Sequence, residues 1–312
     1  AVMSFKRNLK LRTIKGASFL WYMQNFIRNG TFTPSIRKLH PTRKRVFVLG
    51  NGPSLNNDVP PHIEQLKNED VMMVNQAITH SLALEIKPRY YVLMDPAYWG
   101  FYTDEEDTED KLITACVQEL NKSLKQVDWD MTILAPYNFY KKRTSKGIAL
   151  SNPHIQIATF NAVELYTFFR FQNWLYKRNF AIPSGITVPI TALCCAITIG
   201  YEQIYLLGAD SDWHKRLGVD SNNRVYSLET HYYHDDTQKG YSPYSISFEM
   251  GCVAKVFKAY DALGRGFPQI YNLSSTSMID AFPRSTLSSI LNETDKKLMI
   301  STPSYDEIML KP

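Results

Sequence analysis

The chain has 312 residues, of which 44% are hydrophobic and 21% charged, so it can bury a large core and is not a disordered protein. Its formal net charge of +5 is unevenly distributed. Residues 1–45 hold 11 Lys and Arg and no Asp or Glu, while the rest of the chain holds 24 Lys and Arg against 30 acidic residues. This acidic balance excludes a general nucleic-acid-binding surface, and we expect no nucleic-acid partner.

Residues 1–44 form a basic arm in which cations alternate with aromatic and aliphatic side chains. This composition suits a segment that lies on an anionic membrane surface. The alternatives are that the arm packs on the globular part or on another subunit, or that it binds nucleic acid. The arm lacks both the roughly 20 apolar residues of a spanning helix and the features of a signal peptide. We therefore expect a cytoplasmic protein, peripheral on the inner face of the cell membrane, with residues 45–312 as one domain.

From residue 45 onward, strand-like and helix-like segments alternate. Strands are predicted over 45–49, 71–75, 90–94, 131–135, 203–207 and 268–273. Helices are predicted over 60–67, 77–86, 110–124, 161–177, 186–199 and 246–263. The alternation predicts an α/β, Rossmann-like fold with a mostly parallel sheet and helices on both faces. The long polar stretch of about 211–245, rich in Tyr and His, is predicted to be a lid subdomain over a nucleotide site.

The first predicted strand runs into the turn Gly50-Asn51-Gly52, and Ser54 follows where a helix can start. In α/β folds such a turn exposes backbone N–H groups at the carboxyl end of a strand, where nucleotides bind. The turn is neither a full G-x-G-x-x-G fingerprint nor a P-loop. Polar residues also follow the other strands, at Asn75-Gln76, Asp95 and 208–212. Together they predict the rim of a ligand crevice.

Seven segments of the chain, taken together with their order and spacing, resemble the bacterial sialyltransferases of glycosyltransferase family 42 over roughly residues 45–285. The matching segments are Gly50-Asn51-Gly52-Pro53-Ser54-Leu55, Asn75-Gln76, Asp95-Pro96, Ser184-Gly185, 200–210, 231–234 and 270–277. The resemblance implies an inverting enzyme that moves sialic acid from a CMP-sugar donor to a hydroxyl of a surface glycan, as in lipopolysaccharide or capsule biosynthesis. It also implies no cofactor and no metal ion, and relatives of this kind are often oligomers, so a homo-oligomer is possible.

We assign site residues on this basis. The nucleotide-binding residues are predicted to be Gly50, Asn51, Gly52, Ser54, Asn75, Gln76, Asp210 and Ser211. By the family pattern, Ser184 and Gly185 hold the donor sugar's carboxylate, and Asp95 lies near that sugar. The family pattern also assigns lid tyrosines to the departing phosphate, and Tyr226 and Tyr233 are chosen here, with Tyr232 as a further candidate.

The acceptor hydroxyl must lose a proton as it attacks, and an imidazole suits this step. His231 and His234 lie in the polar lid, and His234 is slightly favoured because two aspartates follow it. His214 is a third option.

The chain departs from the family near the sugar. Asp95 stands where the family usually has Asn, and Ala181 stands where it has Arg. The tyrosine expected just after Asp210 is missing. Another ulosonic acid, such as Kdo or a legionaminic-type sugar, is therefore an open alternative.

A rival interpretation starts from Asp210-Ser211-Asp212, which fits the Asp-x-Asp pattern of metal-dependent nucleotide-sugar transferases. It predicts a metal-dependent nucleoside-diphosphate-sugar transferase or a pyrophosphokinase-like enzyme. A third hypothesis is a nucleotide-binding protein without catalytic activity.

Overall fold

The computed structural model describes residues 18–101, 108–229 and 238–292. Its central sheet has seven strands in the order β10-β6-β1-β2-β3-β4-β5, and every pairing is parallel. The strands of this sheet are β1 Arg45–Leu49, β2 Asp70–Val74, β3 Tyr90–Val92, β4 Met131–Pro136, β5 Ile155–Phe160, β6 Gln203–Leu207 and β10 Ile270–Asn272. The predicted α/β, Rossmann-like fold is confirmed.

Ten helices of the described residues surround the sheet, the first of them, α1, over 18–29. The others are α2 Leu55–Asp58, α3 Ile63–Leu66, α4 Ser81–Ile86, α5 Thr108–Lys125, α6 Tyr137–Lys142, α7 Phe169–Lys177, α8 Val188–Ile199, α9 Ile246–Gly266 and α10 Leu287–Asn292. No helix of the described residues is long and apolar enough to cross a membrane.

Successive residues of β1 belong to two different hydrophobic cores, because side chains alternate along a strand. Val46 and Val48 pack in one core with α8, whereas Phe47 and Leu49 pack in the other core with α5. All four are fully buried. A strand covered on both faces is apolar throughout, which is why this part of the sheet could be predicted from the sequence.

Helices α1, α2, α6 and α10 are not among the predicted helices, and two further segments differ from the predictions near the edge of the sheet. Strand β5 was not predicted, although it pairs with β4 along six residues at the edge of the sheet. The helix predicted over 161–177 begins only at Phe169. Residues 161–165 instead run beside residues 179–182, where the Asn161 N–H donates to Asn179 Oδ1 over 2.6 Å and the Ile182 N–H donates to the Val163 carbonyl over 2.9 Å.

The polar stretch 211–245 contains a second, antiparallel sheet of three strands, β7 Leu217–Val219, β8 Val225–Glu229 and β9 Gln238–Tyr241. Arg216 connects this small sheet to the segment that follows β6, because its Nε–H donates to the Leu228 carbonyl over 2.9 Å and its guanidinium pairs with Asp212. The connection between β8 and β9 lies outside the described residues.

The described part of the N-terminal arm packs against the domain. Tyr22 and Phe26 of α1 are each only 3% exposed and join the core on the α8 face. The Tyr22 hydroxyl donates to the Phe180 carbonyl over 3.0 Å. Asn161 accepts from the Thr31 N–H over 2.8 Å. Packing on the domain was one of the alternatives for this arm, and residues 18–44 adopt it at least in part.

Burial raises the pKa of Tyr22 to about 12. In the unfolded chain this phenol ionises near pH 10, so its contribution to stability is complete below pH 10 and is lost as the pH rises through 12. Between pH 9 and pH 11.5 we expect the wild type to lose about 1–2 kcal/mol more unfolding free energy than Tyr22→Phe, measured by urea denaturation.

Other buried tyrosines contribute equally to both proteins and cancel in this difference. Tyr244→Phe is the matched control, because it removes a phenol that is 54% exposed and should follow the wild type. If the unfolding free energies of the wild type and of Tyr22→Phe changed in parallel with pH, the buried position of α1 would be contradicted.

Candidate functional site

A cavity of about 270 Å³ opens at the carboxyl ends of β1, β2 and β6. Its lining consists of Asn51, Gly52, Pro53, Asn75, Thr187, Val188, Pro189, Gly208, Ala209, Asp210, Ser211, Asp212, Trp213, Arg216 and Tyr260. The sheet order reverses at β1, which has β2 on one side and β6 on the other. In open α/β sheets, ligands bind in the crevice at such a switch point. We refer to this cavity as the crevice.

The turn after β1 lies directly against the end of β6. The Gly50 N–H donates to the Leu207 carbonyl over 2.9 Å, and the Gly52 N–H donates to the Gly208 carbonyl over 2.7 Å. A Cβ atom on Gly50 would collide with the Gly208 carbonyl oxygen, and Gly208 itself has φ +60°. These glycines therefore allow two backbones to approach more closely than side chains permit.

Asp210 holds three separate segments together at this point. Its Oδ2 accepts from the Ser54 N–H over 3.0 Å, and its Oδ1 accepts from the Thr276 hydroxyl over 3.0 Å. Its main-chain carbonyl accepts from the Met278 N–H over 2.9 Å. The side chain is buried, so these bonds compensate for the desolvation of its charge.

Asp212 forms a bidentate ion pair with Arg216, with nitrogen–oxygen distances of 2.8 and 2.9 Å. Both carboxylates of the Asp-x-Asp pattern are thus engaged by protein donors, and a guanidinium stands beside one of them. Within the described ranges, no group of three His, Cys, Asp or Glu side chains is placed to hold a metal ion. The described donor set does not fit a dication clamped between Asp210 and Asp212.

Two non-glycine residues of the crevice have left-handed backbones, Asn75 with φ 47° and Ser211 with φ 52°. Such conformations cost about 1–3 kcal/mol and are concentrated at functional sites. Asn75 is held from two sides, because its Oδ1 accepts from the Met94 N–H over 3.3 Å and its carbonyl accepts from the Tyr91 hydroxyl. The carboxyl end of β2 is therefore fixed in shape before any ligand binds.

Helix α8 begins at the crevice. Thr187 precedes its first turn without a side-chain capping bond, and Pro189 lies within that turn. The first backbone N–H groups of a helix have no partner within the helix and carry partial positive charge. This end of α8 and the guanidinium of Arg216 give the crevice donors suited to a phosphate.

Two polar atoms in the turn are buried without a hydrogen-bond partner among the described residues. They are Asn51 Oδ1 and Ser54 Oγ. Asn51 also lines the crevice, and its Nδ2 lies 3.5 Å from the Val74 carbonyl. A buried acceptor without a donor costs free energy unless a ligand or water satisfies it. Asn51 Oδ1 thus has acceptor capacity that no described residue uses, although the atom itself is buried.

The structure brings most of the predicted nucleotide-binding residues together. Five of them line the crevice: Asn51, Gly52, Asn75, Asp210 and Ser211. Gly50 and Ser54 belong to the same turn, and Gln76 follows Asn75 in the short 3-10 helix Asn75–Thr79. Thr187, Arg216 and Tyr260 were missed. Threonine and proline directly before an apolar run signal a helix start and could have indicated the position of Thr187.

The predicted sugar-binding residues are not among those that line the crevice. Asp95 is exposed and caps a short 3-10 helix through the Ala97 N–H at 2.9 Å. Ser184 is fully buried, and the Gly185 N–H donates to Glu164 Oε1 over 2.7 Å. Glu164 in turn pairs with Lys255 at 2.5 Å. The roles of these residues stay predictions.

The predicted catalytic residues His231, His234 and Tyr233 lie outside the described residues, so their roles also stay predictions. Tyr226 lies on β8 with its ring 6.4 Å from that of Tyr241. His214 packs edge-on against Trp213 and Phe257, at ring distances of 6.0 and 5.9 Å.

A larger open groove of about 620 Å³ lies beyond the loop 274–277. It is lined by Asn57, Asp58, Pro61, His62, Leu273, Ser274, Ser275, Arg284, Ser285, Thr286, Leu287 and Ser288. The guanidinium of Arg284 donates to the carbonyls of Ser274, Ser275 and Ser277, so it is used to hold the loop. The groove is larger than the crevice but lies away from the switch point.

Residues 22–216, more than half of the chain, match the family described as 6-hydroxymethylpterin diphosphokinase MptE-like. The chain belongs to this MptE-like family. The match spans nearly all of the crevice, from Asn51 to Arg216. The family description names a transferase, which is the class of enzyme predicted from the sequence. It does not extend to the sialyltransferase subtype, which stays a prediction.

No curated protein matches the chain. Among solved structures, it is similar to the MAf glycosyltransferase from Magnetospirillum magneticum AMB-1, with 15% identity and a TM-score of 0.43. The similarity covers 83% of this chain and 36% of that protein, so the chain spans about a third of its length. A likeness of this size carries no information about activity.

Replacing Asp210 with Asn removes one of the two acceptor oxygens that hold Ser54 and Thr276. We expect Asp210→Asn to lower the free energy of unfolding by about 1–3 kcal/mol in urea denaturation, because a buried donor loses its partner. Asp212→Asn is the matched control, and because its ion pair is partly exposed we expect less than about 1 kcal/mol. Unchanged stability of Asp210→Asn, with loss of Mg²⁺-dependent ligand binding, would instead make Asp210 a metal ligand.

Proposed function

We propose that this MptE-like protein is a nucleotide-dependent transferase whose donor binds in the crevice. In its specific form, the proposal is an inverting glycosyltransferase that uses a CMP-linked ulosonic acid. The observation that carries it is the meeting of a glycine turn, a left-handed asparagine and the start of α8 at the switch point of the sheet. These are the features with which α/β folds bind nucleotides.

In this proposal the donor's ribose or base donates to Asn51 Oδ1, the buried acceptor that lacks a partner among the described residues. The phosphate lies at the start of α8, near Thr187 and Arg216. Asp210 does not contact the reacting atoms but keeps the Gly50–Ser54 turn in place. The nucleotide is thus held mainly by neutral hydrogen-bond donors and acceptors.

The charge of the crevice favours a donor with one phosphate. Among its described lining residues Arg216 is the one cation; its charge is offset by the bidentate pair with Asp212, and the buried Asp210 adds a negative charge. A diphosphate or triphosphate carries more negative charge and needs additional cations. A CMP leaving group carries one phosphate, and hydrogen-bond donors in a site that excludes water can stabilise it.

The reaction is a displacement at the anomeric carbon. The acceptor glycan's hydroxyl oxygen bonds to that carbon, the bond to the phosphate oxygen breaks, and CMP leaves with the electron pair. The proton of the hydroxyl passes to an imidazole, for which His231 and His234 are proposed, with Tyr226 and Tyr233 as donors to the departing phosphate. Sialic acid is the proposed sugar, and Kdo or a legionaminic-type sugar is the alternative.

A second candidate function is the transfer of a diphosphate from a nucleoside triphosphate to an acceptor hydroxyl. It is favoured by the family description, which names a diphosphokinase for a match that covers most of the crevice. The two candidates share the nucleotide-binding turn and differ in the number of phosphates and in the need for a metal ion.

Titration calorimetry with CMP, CDP, UDP, GDP and ATP, each with and without Mg²⁺, separates the two candidates. We expect CMP to bind most tightly, with an affinity that Mg²⁺ does not change. Asn51→Ala should weaken CMP binding by about tenfold, because it removes the hydrogen bond to the nucleotide. Asn57→Ala, an exposed residue of the larger groove, is the matched control and should leave the affinity unchanged.

Binding of ATP that requires Mg²⁺, without measurable CMP binding, would contradict the CMP-sugar proposal and support diphosphate transfer. If Asn51→Ala and Asn57→Ala lowered the affinity for CMP equally, the placement of the nucleotide in the crevice would be contradicted.

A further inference from the structure

A second feature of the molecule lies on α1 and α7, apart from the crevice. Large apolar side chains are exposed there, including Trp21 at 59% and Trp174 at 45%. The set consists of Leu20, Trp21, Ile27, Phe32, Phe168, Phe169, Phe171 and Trp174. We call this set the aromatic face.

Ring contacts connect the two helices across this face. Phe19 of α1 lies 5.8 Å from Phe171 of α7, and Phe171 stacks on Trp174 at 6.0 Å. Trp174 lies 5.8 Å from Phe180, which lies 6.4 Å from Phe32. The exposed rings of Phe32, Phe171 and Trp174 therefore belong to one continuous array, which the partly buried Phe19 and Phe180 join together.

The exposed side of α7 is more aromatic than its buried side, which contains Gln172, Leu175 and Tyr176. Burial in the domain core thus does not account for the aromatic residues of α7. A contiguous exposed apolar surface of this kind marks an interaction site in a protein of ordinary composition.

Positive charge predominates around the aromatic face, since Glu164, which shares a cavity with Trp21, is paired with Lys255. Residues 18–45 and 168–178 contain no Asp or Glu. Their exposed cations near the two helices are Arg28, Arg37, Lys38, Arg170, Lys177 and Arg178. Two of them stack on rings of the array, Arg178 over Trp174 at 4.8 Å and Arg37 over Phe180 at 5.4 Å. The preceding residues 1–17 add five Lys and Arg and no acidic residue.

We propose that the aromatic face binds the surface of an anionic lipid bilayer. Tryptophan and phenylalanine rings favour the interface between headgroups and acyl chains, and lysine and arginine beside them attract anionic headgroups. The sequence placed this contact on residues 1–44 alone. The structure adds α7, more than 120 residues later in the chain, as the other half of one surface.

The charge distribution favours a bilayer over a second copy of the chain. In a two-fold symmetric dimer formed through this face, the same cations would meet each other without acidic partners. Glu164, the acidic residue nearest in sequence to α7, is already paired with Lys255. An anionic surface supplies the complementary charge that a second copy lacks.

The test is co-sedimentation of the 312-residue chain with vesicles of phosphatidylcholine alone or of phosphatidylcholine with about 30% phosphatidylglycerol. We expect binding to the anionic vesicles only, and weaker binding as salt increases. Trp174→Ala should lower the partition coefficient by about tenfold. Removing the charges with Lys177→Gln and Arg178→Gln should lower it by about fivefold for each cation.

Phe248→Ala is the matched control, because Phe248 is 50% exposed and stacks on Tyr244 at 4.3 Å, outside the aromatic face. It should bind vesicles as the wild type does. Equal binding to neutral vesicles, or equal losses in Trp174→Ala and Phe248→Ala, would overturn the proposal. The proposal would also be overturned if the wild type did not bind vesicles but formed a dimer in sedimentation velocity that Trp174→Ala dissociates.

Discussion

The arrangement of the crevice depends on one buried carboxylate. Asp210 accepts hydrogen bonds from Ser54 and Thr276 at the point where the turn after β1, the end of β6 and the loop 274–278 meet. These three segments are distant in sequence and each ends a different strand of the parallel sheet. Without a shared acceptor, the N–H of Ser54 would be buried unpaired, at a cost of about 1–3 kcal/mol. The same geometry explains why Gly50 and Gly52 carry no side chain, since each lies against the backbone or carboxylate of the β6 segment.

The use of Asp210 in this way also determines the electrostatics of the crevice. Its charge is spread over protein donors, and the charge of Asp212 is offset by Arg216. The described lining therefore has two carboxylates against one guanidinium and offers dipoles and hydrogen bonds in place of excess positive charge, which suits a ligand with few negative charges. The excess positive charge of the chain lies elsewhere, on the N-terminal arm and on α7, where the exposed rings are. Ligand binding and surface attachment are thus assigned to different parts of the molecule.

The sequence predicted the parallel sheet because β1, β2 and β6 are buried on both faces and are apolar after a polar first residue. It missed β5, an edge strand with a mixed pattern. It also placed the start of α7 too early, because residues 161–168 mix apolar and polar residues as an amphipathic helix does, whereas residues 161–165 bond to residues 179–182. The turn Gly50–Ser54 could be predicted because its signal is local. Arg216 and Tyr260 could not, because tertiary packing brings them to the crevice, and for Thr187 the sequence signalled only a helix start. The Asp-x-Asp spacing was ambiguous for the same reason, since only the partners of each carboxylate distinguish a metal ligand from a structural bridge.

The central claim is that a nucleotide binds at the carboxyl ends of β1, β2 and β6. Hydrogen–deuterium exchange with and without saturating CMP tests it most directly, because it reports on backbone amides without any substitution. The account predicts slower exchange in residues 50–54, 187–190 and 208–212, with no change in 57–62 and 284–288. Protection confined to 57–62 and 284–288, which line the larger groove, would contradict it.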